Sequence, residues 1–191
     1  RARTSPTFTT GVDGHEHASS LAAQVVDFNK GIMVDGSVGE PAFPPFTFGV
    51  AGYPEKHEEA MNLHYDLLNL KAKVDAGAAY VVTQMFFDNN KYFDFVRSAR
   101  QAGITVPIIP GIKPLTSLRQ LSLLPRTFHI DIPTELSDNL LRCKSNEEVR
   151  ELGVEWGIRQ ARELSQAGVP SIHFYSMHAT SSVARIAKAV Y

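Results

Sequence analysis

The sequence predicts an α/β fold in which strands and helices alternate along the chain. Four short apolar runs have the length of buried strands: Phe46–Val50, Tyr80–Met85, Val106–Ile112 and Ser171–Ser176. The helices that precede the last three of these runs end in the same Ala-Gly pair, at Gly77, Gly103 and Gly168. A glycine just past a helix C-terminus is the usual stop signal. Strands joined by helices in this way form parallel sheets.

The segment from Phe46 to Asp88 is the clearest βαβ unit of the chain. Its two strands are apolar and β-branched enough to be buried on both faces. Between them a helical pattern runs from Glu58 to the Ala-Gly pair. Its apolar residues recur at helical spacing and predict the stripe that packs on the sheet: Leu63, Leu67, Leu70 and Val74.

A polar row lies beside that apolar stripe on the same helix. Asp66, Asn69 and Lys73 stand at i, i+3 and i+7, so they line up along one face. An acid, an amide and an amine in line can bind hydroxyls and phosphates. A solvated helix face gives the same pattern, and spacing alone does not separate the two readings.

Further helices are predicted along the rest of the chain: Ser19–Asn29, Lys91–Ala102, Ser117–Leu124, Thr134–Arg142, a long helix to about Gln166, and Thr180–Val190. The long helix opens on a capping box, in which Ser145 is followed three residues later by Glu148. Its Val149, Leu152 and Trp156 are expected to face inward.

The chain divides into an N-terminal loop, helix and connection over residues 1–45 and an α/β part over residues 46–191. Residues 1–14 are rich in Thr, Ser, Gly and Pro and predict irregular structure. His15 and His17 stand two residues apart without a third ligand or a rigid frame. They therefore indicate a solvated loop and not a metal site.

Charge and cysteine content limit the classes of partner. A formal net charge of −1 gives no electrostatic basis for binding nucleic acid or an anionic membrane. Cys143 is the single cysteine, which excludes an internal disulfide and fits a reducing compartment. No apolar run approaches the length of a membrane span. We expect a soluble, cytoplasmic protein.

Four βα units are half the number in a closed (β/α)8 barrel, which takes eight strands and about 250 residues. The chain of 191 residues thus predicts a half-barrel of that type. Three arrangements remain open. The other half can be missing, two halves can meet in an oligomer, or the four strands can form an open sheet.

Five motifs occur in order between about Val50 and Met177: AGYPEKHEEA, DLLNLKAKVDAGA, TQMFFD, PIIPGIKP and HFYSM. In this order and spacing they resemble the C-terminal half of the catalytic barrel of methylenetetrahydrofolate reductase. That family is a flavin-dependent (β/α)8-barrel enzyme. The resemblance therefore implies the same barrel type and favours the missing-half account.

The resemblance also implies roles for individual residues. The family's contacts to FAD fall on Tyr53, His57, Asp66, Asn69 and Lys73. Its contacts to folate or nicotinamide fall on Gln84, with Gln120 as a further folate contact. An amide suits a pterin edge because it donates and accepts at once. Each residue also has a purely structural interpretation. Tyr53 can be an ordinary aromatic residue at a strand end, and His57 can be a helix N-terminal residue with a local hydrogen bond.

Other polar residues near the predicted strand ends are expected to be structural. These are Asp88 and Lys113, together with His173 as a hydrogen-bonded core histidine within the last strand. Gln84 interrupts an apolar run, so it needs a partner whatever its role.

The activity implied by the resemblance consists of two hydride transfers. NAD(P)H reduces FAD, and the flavin reduces 5,10-methylenetetrahydrofolate to 5-methyltetrahydrofolate. The family's general-acid glutamate precedes the part of the barrel matched here, so the catalytic acid is unknown. Two positions depart from the family, with Ala72 in place of a basic residue and Ala179 in place of an arginine. The family's Arg-Gly-Asp falls near Arg1-Ala2-Arg3, without its acid. A non-catalytic half-barrel that binds a partner or self-associates is the alternative.

Overall fold

The computed structural model describes residues 14, 15 and 17–191. Within them seven helices follow one another: α1 (Ala18–Asn29), α2 (Leu63–Asp75), α3 (Asn89–Gln101), α4 (Gln120–Phe128), α5 (Thr134–Leu141), α6 (Asn146–Gln166) and α7 (Thr180–Val190). Four strands lie between them: β1 (Gly49–Gly52), β2 (Tyr80–Met85), β3 (Ile108–Ile112) and β4 (His173–Phe174). The irregular structure predicted for residues 1–14 falls almost entirely outside the described residues.

The four strands form one parallel sheet in the order β1-β2-β3-β4. Gly52 is opposite Thr83 at the ends of the first two strands, and Gly111 is opposite His173 at the other side. All four strands therefore end at the same edge of the sheet. The predicted α/β class with a parallel sheet is confirmed.

One hydrophobic core lies between the sheet and helices α2, α3, α6 and α7. Its residues include Leu70, Val81, Phe95, Ile108 and Ile186, all of them at most 2% exposed. The apolar stripe predicted for α2 is confirmed, since Leu67 and Leu70 are buried and their neighbours on the stripe pack against them.

A second core lies nearer the C-terminal ends of the strands, where α4, α5 and the first half of α6 meet. Met85, Leu115, Leu136 and Val149 are buried there. The indole Nε1 of Trp156 donates to the Phe87 carbonyl at 3.1 Å, which ties α6 to the end of β2. The inward face predicted for α6 is therefore correct.

Several helix ends match their sequence signals. Ala76, Ala102 and Ala167 follow the last residues of their helices, and the glycine after each has a left-handed φ of 73–121°. The Ser145 hydroxyl accepts from the Glu148 amide at 3.1 Å, as in a capping box, but the Glu148 carboxylate accepts from the Lys144 amide at 2.7 Å and not from the Ser145 amide.

The first strand begins later than predicted. The expected start at Phe46 is wrong because the Asn29 side chain forms hydrogen bonds with both backbone groups of Phe46. Asn29 Nδ2 donates to the Phe46 carbonyl at 2.9 Å, and Asn29 Oδ1 accepts from the Phe46 amide at 2.7 Å. Sheet pairing starts only at Gly49, opposite Tyr80.

Helix α2 also begins later than its helical pattern predicts. The residues from Glu58 to Met61 form turns, and Asn62 caps the helix by accepting from the Tyr65 amide at 3.1 Å. The predicted start at Glu58 is therefore wrong by five residues.

The strands are not buried on both faces as predicted. Burial in β2 alternates between buried and half-buried residues, because helices cover one face of the sheet and the other is open. β4 contains two residues instead of six, and His173 is exposed. The expectation of a core histidine at that position is wrong.

Two further boundaries differ from the predictions. Helix α4 covers Gln120–Phe128 and includes Pro125, whereas Ser117–Leu124 was expected. β3 starts at Ile108 and not at Val106, although the Pro107 carbonyl already accepts from the Val81 amide at 2.8 Å.

Closure into a barrel is absent among the described residues, since β1 and β4 each pair with a single neighbour there. The sheet is thus consistent with part of a (β/α)8 barrel and has two unpaired edges. In the same part of the chain, no helix is both long and apolar enough to cross a bilayer.

Candidate functional site

A cavity of about 790 Å³ opens between α1, β1 and α2. Its lining includes all five residues predicted to contact a flavin: Tyr53, His57, Asp66, Asn69 and Lys73. Pockets that hold ligands of cofactor size measure roughly 300–1,000 Å³, so this volume suits a mononucleotide or larger ligand. Residues separated by up to twenty positions in the sequence thus meet on one surface.

The α2 wall presents the polar row to this cavity. Asp66 is only 8% exposed, whereas Asn69 is exposed toward the opening. Lys73 lies one turn further and donates from Nζ to the Ala51 carbonyl of β1 at 3.3 Å. The row is therefore a cavity wall and not a face directed to bulk solvent.

The loop after β1 forms the end of the cavity. We call residues 53–62 the β1–α2 loop. The His57 amide donates to Asp66 Oδ2 at 2.9 Å, which anchors the loop on the first turn of α2. The rings of Tyr53 and His57 meet edge to face with centroids 4.5 Å apart. One buried carboxylate thus holds the loop that carries both aromatic rings.

Helix α1 supplies the opposite, mainly apolar wall. Leu21, Ala22 and Val25 line the cavity, and His17 and Ser19 lie near its mouth. The sequence did not predict this wall, because no pattern in it shows that α1 packs against α2. The helical pattern of α1 was visible in the sequence, but its partner was not.

Burial changes the proton affinity of two groups in the cavity. Desolvation raises the pKa of Tyr53 above its usual range, and the nearby carboxylates of Asp66, Glu58 and Glu59 add to the effect. Desolvation lowers the pKa of Lys73, which the Asp66 carboxylate partly offsets. The lysine is therefore a desolvated ammonium whose environment improves when an anion binds beside it.

The two predicted folate contacts lie outside this cavity. Gln84 is the next-to-last residue of β2 and lies beside Tyr53, since the preceding residues Gly52 and Thr83 pair. Gln84 Oε1 accepts from the Met85 amide at 3.0 Å, so the partner expected for this half-buried side chain exists. Gln120 Oε1 accepts from the Thr116 amide at 2.7 Å.

Tyr175 joins the strand ends on the open side of the sheet. Its hydroxyl donates to the Thr83 carbonyl at 2.9 Å, crossing over β3 where Gly111 leaves room for the ring. Burial raises the pKa of Tyr175, and the Tyr53 phenol adds to the shift. Tyr53, Gln84 and Tyr175 therefore lie together at the C-terminal edge of the sheet.

Asp88 has the surroundings of a structural residue, and the structural role expected of Lys113 stays a prediction. The Asp88 carboxylate caps α3 by accepting from the Asn90 amide at 2.9 Å. Lys113 is 4% exposed, burial lowers its pKa, and its Nζ has no partner among the described residues.

The chain matches the family model of methylenetetrahydrofolate reductase over residues 14–191. It is 40% identical over 147 residues to a probable methylenetetrahydrofolate reductase (NADPH) of Caenorhabditis elegans, covering 76% of this chain and 22% of the worm protein. It is also 40% identical over 134 residues to the 5,10-methylenetetrahydrofolate reductase of Salmonella typhimurium, covering 70% of this chain and 45% of that enzyme. A methylenetetrahydrofolate reductase (NADH) 1 of Zea mays is 36% identical over 147 residues, which cover 72% of this chain and 25% of the Zea mays protein.

A solved structure has a similar fold, with a TM-score of 0.51 at 22% identity, covering 77% of this chain and 53% of that one. It is an uncharacterized protein from Clostridium thermocellum that binds two copies of 5-methyl-5,6,7,8-tetrahydrofolic acid. The present chain spans less than half the length of the three relatives named above. The match over nearly the whole chain and the identity to several reductases place it in the methylenetetrahydrofolate reductase family.

Proposed function

We propose that this chain forms the flavin-binding part of an enzyme that reduces 5,10-methylenetetrahydrofolate to 5-methyltetrahydrofolate, with NAD(P)H as hydride donor and FAD as the intermediate carrier. The observation that carries the proposal is the single cavity around Tyr53, His57, Asp66, Asn69 and Lys73. Relatives that bear the reductase name at 36–40% identity support it.

The chemistry of the cavity fits a flavin nucleotide. Lys73 provides a desolvated cation for a phosphate, and the Asp66 carboxylate and Asn69 amide are suited to ribityl hydroxyls. The apolar α1 wall around Leu21 and Val25 suits a flat ring system. The polar part of such a ligand would face the α2 wall, and its flat ring system would face the α1 wall.

Bound FAD would supply the hydride-carrying chemistry, and the protein would supply orientation and exclusion of water. Tyr53 and His57 close the loop end of the cavity, next to the sheet edge where Gln84 lies. Gln84 Oε1 already accepts from the Met85 backbone amide. The Nε2 group of the Gln84 side chain is therefore the part that would donate to a folate. Gln120 at the start of α4 is the second proposed folate contact. No residue of this chain is assigned as the general acid.

Flavin content of the intact protein tests this proposal. Asp66→Ala and Lys73→Ala each remove a charged group from the cavity, so we expect purified protein with reduced bound FAD. Lys71→Ala and Asp75→Ala are matched controls, since these two residues of α2 pair with each other outside the cavity. Equal flavin content in all four variants would exclude this helix as a flavin site.

A second candidate function is a non-catalytic half-barrel that pairs with another chain. The two unpaired edges of the described sheet, at β1 and β4, favour it because exposed edges are templates for strand pairing. A protein that neither binds flavin nor reduces folate, yet forms a stable dimer, would support this function over the first.

A further inference from the structure

We propose that the β1–α2 loop is held in its flavin-binding shape by a clasp formed by Glu55 and Glu58 with the segment from His129 to Asp131. The clasp would make Glu55 and His129 positioning residues for Tyr53 and His57. This inference rests on the proposed function, because it concerns the same site.

The clasp consists of two contacts between segments more than seventy residues apart. Glu55 Oε2 accepts from the Asp131 amide at 2.9 Å, and Glu58 Oε2 contacts His129 Nε2 at 2.5 Å. His129 follows the last residue of α4 and adopts a left-handed φ of 52°, which directs the chain into the α4–α5 connection. Both contacts therefore join the loop to the end of α4.

The loop is also strained and internally braced. Lys56 has a φ of 86°, a conformation that is strained for a residue other than glycine. Its ammonium donates to the carbonyls of His57 and Ala60 at 2.9 and 2.6 Å. Such a backbone persists only where its surroundings hold it in place.

The clasp and the cavity use different side chains of the loop, although Glu59 lines both the cavity and the cleft beside the clasp. Tyr53 and His57 line the cavity, and the His57 amide is bound to Asp66 on α2. Glu55 and Glu58 line a separate cleft with His129. The loop is thus held both by α2 and by the α4–α5 connection.

The titration of Glu55 gives the clasp a distinctive signature. Burial raises the pKa of Glu55 to about 7, with the Asp131 carboxylate adding to the shift, while the Asp131 amide and Lys91 oppose it. Lys56, Glu58, Glu59 and His129 are the other charged or titratable groups around the cleft. Ionisation of Glu55 therefore disfavours the closed clasp, so the clasp weakens as the pH rises from about 4.5 to about 7.

The test compares three variants of the full protein by amide hydrogen exchange of residues 53–62 and by the dissociation constant of FAD between pH 5.5 and 8.5. Glu55→Ala and His129→Gly each remove one contact, and glycine keeps the left-handed backbone of position 129 accessible. Since one hydrogen bond contributes about 1 kcal/mol, we expect each to speed loop exchange and to weaken FAD binding about fivefold.

Glu55→Gln is the conservative control, because its side-chain oxygen can still accept from Asp131 but cannot ionise. We expect it to bind FAD at pH 8 at least as tightly as the wild type and to reduce the pH dependence below pH 7.5, while the contact between His129 and Glu58 keeps its own dependence on imidazole protonation. Unchanged loop exchange in Glu55→Ala and His129→Gly would overturn the clasp. Faster exchange with unchanged FAD affinity would overturn the positioning role. A wild type that binds no FAD overturns the proposed function instead, and loop exchange then decides the clasp alone.

Discussion

Lys73 shows how one side chain can indicate the charge of an absent ligand. Its ammonium is half-buried, its one hydrogen bond among the described residues goes to a carbonyl at 3.3 Å, and burial lowers its pKa. A desolvated cation whose burial is only partly offset by the Asp66 carboxylate is stabilised when an anion binds. A phosphate of FAD is the anion that the proposed function provides.

The first prediction separates phosphate binding from ring binding. Lys73→Met removes the cation and keeps the length of the side chain, so we expect FAD and FMN affinity to fall by about 1.5–3 kcal/mol, as for charged hydrogen bonds. Riboflavin lacks a phosphate, so its affinity should remain unchanged. Fluorescence titration measures all three ligands, with Lys71→Met as the control. Equal losses for FAD and riboflavin would contradict a phosphate contact.

The second prediction concerns the stability of the protein as a function of pH. The folded pKa of Glu55 is raised from 4.5 to about 7, so its contribution to stability is complete below about pH 4.5 and is lost as the pH rises through 7. Because Glu55 is partly exposed, we expect a loss of about 1 kcal/mol after solvent screening. The unfolding free energy of Glu55→Gln, measured with urea from pH 5 to 8, should not show this pH-dependent loss. Parallel pH profiles for both proteins would contradict it.

At the scale of elements, α6 organises much of the packing because its two glycines allow close approach of other segments. A Cβ at Gly153 would lie 2.0 Å from the Leu115 carbonyl oxygen, which belongs to the backbone after β3. A Cβ at Gly157 would lie 2.5 Å from Ile186 Cδ1, the end of a side chain on α7. Backbone cannot move aside as a side-chain end can.

The third prediction follows from this difference. Gly153→Ala should destabilise the protein by about 2–3 kcal/mol, because overpacking against backbone displaces α6 from the sheet. Gly157→Ala should cost less than about 1 kcal/mol, since alanine favours the helix and Ile186 can adjust. Thermal or urea unfolding of the two variants tests whether Gly153→Ala loses more stability than Gly157→Ala. Equal destabilisation would contradict the packing account.

The elements that local signals define were predicted well from the sequence. β2, α7 and the start of α6 after Ser145 agree with their patterns, as do the helix ends at Gly77 and Gly103. The errors arose where a side-chain hydrogen bond to the backbone decides the boundary. Asn29 displaces the start of β1 by binding Phe46, and Asn62 caps α2 five residues after its predicted start.

The candidate site was predictable only in part for the same reason. The resemblance in motif order indicated five of the residues that line the cavity, and helical spacing alone aligned Asp66, Asn69 and Lys73. The α1 wall and the clasp through His129 depend on contacts between segments far apart in the chain. No local pattern encodes such contacts, so the structure was needed to find them.

At the scale of the whole molecule, the two unpaired sheet edges lead to the fourth prediction. β1 and β4 expose backbone donors and acceptors within the described residues, and such edges pair with other strands. We expect this chain, when studied alone, to show a mass that rises with concentration in light scattering. A monomer of constant mass at every concentration tested would show that the edges are protected.

The central claim is that residues from α1, β1 and α2 form a flavin site, and direct titration of the purified chain with FAD tests it most simply. We predict quenching of flavin fluorescence and a shifted visible absorption band that saturate near one FAD per chain. Circular dichroism on the same sample establishes that the protein is folded. A folded chain that takes up no FAD at any concentration would contradict the claim.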